Sequence, residues 1–192
     1  MTFDHHTASS PATLPLAPTD ARRAPLFAFG LLTVASALAS FVFACATPFA
    51  AYAVIAAAML PLRQALLVVT GTWLVNQTIG YGVLHYPINA NSISWGLAIG
   101  TGALAATTAA KSVIQSRPLA RMPITLAIAL LAAYAVYEIV LLAFTPVLGG
   151  IDGFTIEIIA RIGLLSAVWL AGLVAICEAM RISRRTERRH MS

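Results

Sequence analysis

From Leu26 onward the chain alternates long apolar runs with short breaks where prolines and charges gather. The first run, Leu26 to Leu60, is about 35 residues long. A span needs ~20, and Thr47-Pro48 interrupts the run, so two helices are expected, over 26–46 and 48–61. Pro48 suits the first turn of the second helix, where a missing N–H is harmless, and Pro61 suits its exit. The second helix reaches only about 21 Å at 1.5 Å per residue, so it must stand upright or thin the bilayer. Later runs predict helices over 64–84, 93–110, 122–146 and 155–180, separated by Arg63, His85–Ser92, Lys111–Arg121 and Pro146–Phe154. The pattern is that of an all-α, polytopic integral membrane protein with six transmembrane helices.

Charge orients the helices. With the N-terminus inside, Arg22, Arg23, Arg63, Lys111, Arg117, Arg121, Arg181, Arg184, Arg185, Arg188 and Arg189 all flank the cytoplasmic side. The outer loops then carry no Lys or Arg, and only Arg161 lies within a helix. Deleting the short second helix would reverse every later segment and put Arg63, Lys111, Arg117 and Arg121 outside. Both termini are therefore expected to be cytoplasmic, in a multi-pass protein of the inner (cytoplasmic) membrane. Composition agrees: 59% of residues are apolar, 10% are charged and the mean hydropathy is +0.85. The basic balance belongs to flanks facing anionic lipid, which argues against a nucleic-acid partner.

Three parts are expected: a disordered cytoplasmic tail over 1–24, a six-helix transmembrane domain over 25–182 and a basic cytoplasmic tail over 183–192. His5-His6 lacks the Cys or carboxylate companions of a metal site. Ala44-Cys45-Ala46 has the small-x-small form of a signal-peptidase site, but the apolar run before it exceeds an h-region and another follows at once, so the helix is read as retained. Cys45 and Cys177 fall toward opposite membrane faces and are not expected to pair.

Candidate chemistry lies in one layer. Asn76 and Gln77 sit about 11 Å below the outer end of the third helix, Glu138 about 12 Å below that of the fifth, and Arg161 about 10 Å below that of the sixth, at 1.5 Å per residue. Such groups are retained in membranes to hold a partner helix, a ligand or a transport path. Glu138 and Arg161 are expected to pair across adjacent antiparallel helices, with Glu157 as an alternative partner for Arg161. Tyr134 and Tyr137 flank Glu138, while Tyr52, Trp95, His85, Tyr86, Asn89 and Asn91 are expected near an outer mouth. The candidate ligand-binding set is Asn76, Gln77, His85, Trp95, Tyr134, Glu138 and Arg161. The same polar groups would serve equally as interhelical bonds in a structural protein. The sequence holds no H-E-x-x-H, G-x-S-x-G or Walker A motif and no Cys/His metal array, so no enzymatic activity, cofactor or metal is expected.

Small residues mark packing faces: Ala35-x-x-x-Ala39 and Ser36-x-x-x-Ser40 on the first helix, Gly96-x-x-x-Gly100 on the fourth. Six helices, a short second one, both ends inside, this small-residue face and an outward-opening polar layer resemble the substrate-binding S components of energy-coupling factor vitamin transporters, over residues 25–182. Ala35-x-x-x-Ala39 is similar to the motif with which those proteins meet their transmembrane coupling subunit. The resemblance implies capture of a vitamin or cofactor precursor from outside by groups such as Asn76, Gln77, Glu138 and Arg161. It further implies delivery by toppling in the membrane, with Ala35 and Ala39 as partner-helix contacts and separate ATPase chains. The alternatives are a structural or assembly subunit of a larger membrane complex, or a secondary transporter, for which no internal repeat is evident.

Overall fold

Small residues, more than polar ones, decide which helix lies inside this bundle. The computed structural model describes residues 22–43, 47–117 and 122–190. The tail over 1–21, Ala44–Ala46 with Cys45, and Arg121 lie outside the described residues. Six α-helices occur in order: α1 (Ala24–Phe43), α2 (Phe49–Met59), α3 (Leu62–Gly82), α4 (Ala90–Gln115), α5 (Met122–Leu148) and α6 (Ile156–His190), with one 3-10 turn at Ile151–Phe154. No strand occurs among the described residues. Ala24–Phe41, Ala90–Gln115, Met122–Leu148 and Ile156–Ser183 are long and apolar enough to cross a membrane.

Helix boundaries follow the punctuation of the sequence, except that α4, expected over 93–110 with a break from Lys111, starts at Ala90 and runs through Lys111 to Gln115, and apart from two further departures. The expected basic tail over 183–192 is helical as far as His190. Arg and Glu are good helix formers, no Gly or Pro follows Gly172 to stop the helix, and Arg181 bonds Glu178 one turn back at 2.6 Å. The second departure is at Pro146, which lies inside the last turn of α5 instead of ending it. A proline there leaves the carbonyl four residues earlier without its N–H donor. The hydroxyl of Thr145 donates to that carbonyl, Leu142 O, at 2.8 Å. The helix then stops at Gly149 and Gly150, both at positive φ.

α2 is the axis of the fold. It packs against α1, α3, α4, α5 and α6, and none of its residues is more than 1% exposed. Six of its eleven residues are alanine, which lets five helices approach it closely. Its buried C-terminal carbonyls need donors that lipid cannot provide. Lys111, reaching from α4, gives its ammonium to Ala57 O at 2.9 Å and Leu60 O at 2.7 Å, a cation at the negative end of the helix dipole.

Around this axis, α1 lies along α3 with Phe29 over Gly71 and Ser40 beside Asn76, so the two helices run parallel and the chain returns between them through α2. α4 runs antiparallel to α3: Gln77 sits at Gly96 and Trp73 at Gly100. Tyr137 fills the notch that Gly102 leaves between α4 and α5. α6 leans on α2 through Leu170, Leu173 and Cys177, and through Trp169, whose ring meets that of Tyr52 edge to face at 6.5 Å.

Candidate functional site

The polar residues expected in one layer fall into two separate clusters, with Arg161 in neither. In the first, the amide nitrogen of Asn76 donates to Ser40 Oγ at 2.9 Å and to Thr47 Oγ1 at 3.1 Å. This ties α3 to the end of α1 and to the start of α2. Gln77 donates to Asn76 Oδ1 at 3.4 Å, and its own amide oxygen occupies the space a side chain at Gly96 would need. Trp73, one turn below, donates from its indole nitrogen to Gly96 O at 2.9 Å. The sequence marks Asn76 and Gln77 through their polarity, whereas Ser40 and Thr47 are ordinary in composition and become visible only as their partners.

The second cluster joins α5 to α6. Tyr134 donates its hydroxyl to Ile159 O at 2.6 Å, with its ring in the notch at Gly163. The same phenol lies against the carboxyl of Glu138, one turn further along α5. Glu138 is half-buried and forms no ion pair within 4.0 Å with any described cation.

The expected pairing of Glu138 with Arg161 is not formed, nor is that of Arg161 with Glu157; the one ion pair among the described residues is Glu178–Arg181. The helix rotation explains this. Ile159 and Gly163, four residues apart, form the stripe of α6 that faces Tyr134. Arg161 is two residues beyond Ile159, about 200° around the helix, and is exposed on the other side. Equal depth does not bring two side chains together unless their angles around the helix also agree.

At the end of the bundle that carries the α3–α4 loop, side chains pack on one another. Tyr86 folds back over Gly80 and meets Tyr81 edge to face at 6.2 Å, while Tyr81 and Ser92 share a hydrogen bond of 3.2 Å. Asn89 caps α4 by accepting from Ser92 N at 2.8 Å. Trp95 is half-buried against the turn at Gly150, and His85 is exposed in a left-handed backbone conformation at φ 54°. Tyr52, expected at an outer mouth, lies deep in the core: its contact Trp169 is about 20 Å along α6 from the start of that helix, which sets the start of α2 well inside the bundle. The hydroxyl oxygens of Tyr52, Ser36 and Ser166 are buried without a hydrogen-bond partner among the described residues.

Ala35 and Ala39 are 4% and 0% exposed and pack within the chain, so their close approach is to neighbouring helices of the same bundle. The outward side of α1 carries Val34, Leu38 and Phe41. An apolar cleft of about 250 Å³ separates α1 from α6 and has Ala35 and Trp169 in its walls. Comparison of the chain with known protein families, with curated proteins and with solved structures finds no match.

Proposed function

We propose that this chain is an integral membrane substrate-binding protein for a small molecule, an uptake subunit resembling the S components of energy-coupling factor transporters, with a vitamin or cofactor precursor as its cargo. Glu138 carries the reading. A carboxylate half-buried in a transmembrane helix, beside a phenol and without a cation from the described residues, is expensive to keep at that depth. Its partner in this reading is an ammonium or other donor on the ligand, since the Tyr134 hydroxyl beside it already donates to Ile159 O, and Asn76 holds the neighbouring helices in register.

The proposed topology has six membrane-crossing segments with both ends in the cytoplasm of a cell bounded by this inner membrane. The parallel run of α1 and α3 supports a return through α2, and burial on all sides lets that short helix cross without meeting lipid. This arrangement also keeps eleven of the twelve Lys and Arg residues on one side. In an intact-cell labelling experiment, a cysteine at Asn89 is expected to react and one at Ser183 to be spared. A coupling subunit, with ATPases on separate chains, would meet the outward side of α1 at Val34, Leu38 and Phe41.

A second reading, a structural or assembly subunit, is favoured by Asn76, whose amide is spent on Ser40 and Thr47. Thermal melting of the purified protein against a panel of vitamins and their precursors separates the two. A ligand specific for the folded state raises the melting temperature in proportion to the logarithm of its concentration. Glu138→Gln is expected to melt like the parent without ligand and to lose the ligand-induced rise. No rise with any compound in the panel would favour the structural reading.

A further inference from the structure

A cleft of about 690 Å³ opens between α3 and α4, starting at Leu62 and Arg63 and continuing into a smaller one of about 140 Å³ that reaches Trp73. Three threonines line it, yet they give it no polarity. Thr70 donates its hydroxyl to Leu66 O, Thr101 to Leu97 O and Thr108 to Ala105 O, each within its own helix. Together with Leu66, Leu104 and Ala105 they make an apolar trough with one charge, Arg63, at one end.

That charge is available. Arg63 is exposed and makes no hydrogen bond or ion pair with any described residue. It stands in the first turn of α3, whose N-cap Pro61 provides no side-chain acceptor, so the positive end of the helix dipole adds to its field. The other end is closed by Trp73, held by its bond to Gly96 O. From Leu62 to Trp73 the helix rises about 17 Å, close to half of a ~30 Å hydrocarbon core. The trough is thus one leaflet deep, open along the lipid side, apolar throughout and positive where headgroups lie.

We infer that the α3–α4 cleft is a binding site for an anionic phospholipid, with an acyl chain along Thr70 and Leu104 and the phosphate on Arg63. The inference shares with the proposed function only the orientation that puts Arg63 at a membrane face; it needs no substrate.

Native mass spectrometry of the full-length protein, purified with phosphatidylglycerol and phosphatidylcholine of matched chains, tests it. Phosphatidylglycerol is expected to be retained about five-fold over phosphatidylcholine, the worth of one basic residue near anionic lipid, with the preference shrinking as salt rises. Arg63→Gln is expected to abolish the preference without moving the melting temperature. Thr101→Trp, exposed and on the cleft wall, is expected to reduce retention of both lipids. Equal retention of the two lipids by the parent protein, or an undiminished preference in Arg63→Gln, overturns the inference. So does a photo-crosslinker at Thr101 that captures a polypeptide or a second copy of this chain in place of lipid. A protein that responds to no vitamin but keeps the phospholipid preference would fail the proposed function alone.

Discussion

α2 and the stretch of α6 from Ile162 to Cys177 are both apolar, and they have opposite fates. No residue of α2 is more than 1% exposed, whereas over Ile156–Ser183 of α6 only Ser166, Leu170, Leu173 and Cys177 are buried. In water an all-apolar helix goes inside; in a bilayer, lipid is as good a solvent for Leu as protein is, and apolarity stops sorting inside from outside. Size sorts them here. α2 offers alanines to five neighbours, while α6 turns Leu164, Val168, Ile176 and Ile182 to the surroundings and keeps Leu173 and Cys177 for α2.

The largest effect should come from enlarging a small residue at the axis. Ala53 is fully buried among five helices, so Ala53→Leu is expected to lower stability by about 3 kcal/mol, the upper end of overpacking costs, read as a drop in the detergent melting temperature. Next comes the cap of α2. Lys111→Met leaves the carbonyls of Ala57 and Leu60 without their donor and is expected to cost about 2 kcal/mol, with partial recovery in Lys111→Arg. Asn76→Ala should cost about 1 kcal/mol, and a double-mutant cycle with Ser40→Ala should show the two changes to be less than additive. Leu164→Ala, on the outer side of α6, should shift stability by less than about 0.5 kcal/mol. If Leu164→Ala proved as damaging as Ala53→Leu, size would not be what separates the two helices.

The helices were legible because prolines and charges end the apolar runs, and a run of twenty apolar residues has few other fates. Asn76 was legible for the same reason, as a group that must find a partner. What could not be read was angle and offset. Counting residues gives depth along one helix, so Glu138 and Arg161 looked matched, but it does not give the rotation that turns Arg161 away; Gly163, the notch for Tyr134, was the only local hint. Nor does counting give the offset between helices, which is why Tyr52 looked like a rim residue and lies in the core. Lys111 read as a flanking charge because its acceptors are 51 and 54 residues away.

That separation has a consequence for synthesis. Leu60 leaves the ribosome well before Lys111, so during translation the end of α2 has no protein donor and must stay within reach of water until α4 arrives. α1, α2 and α3 therefore cannot settle as a finished unit in the order they are made: the innermost helix is seated late, when α4 is threaded beside it. A nascent chain stopped after α3 would present an unsatisfied helix end and an alanine-rich surface without neighbours, the kind of intermediate that membrane chaperones and proteases recognise.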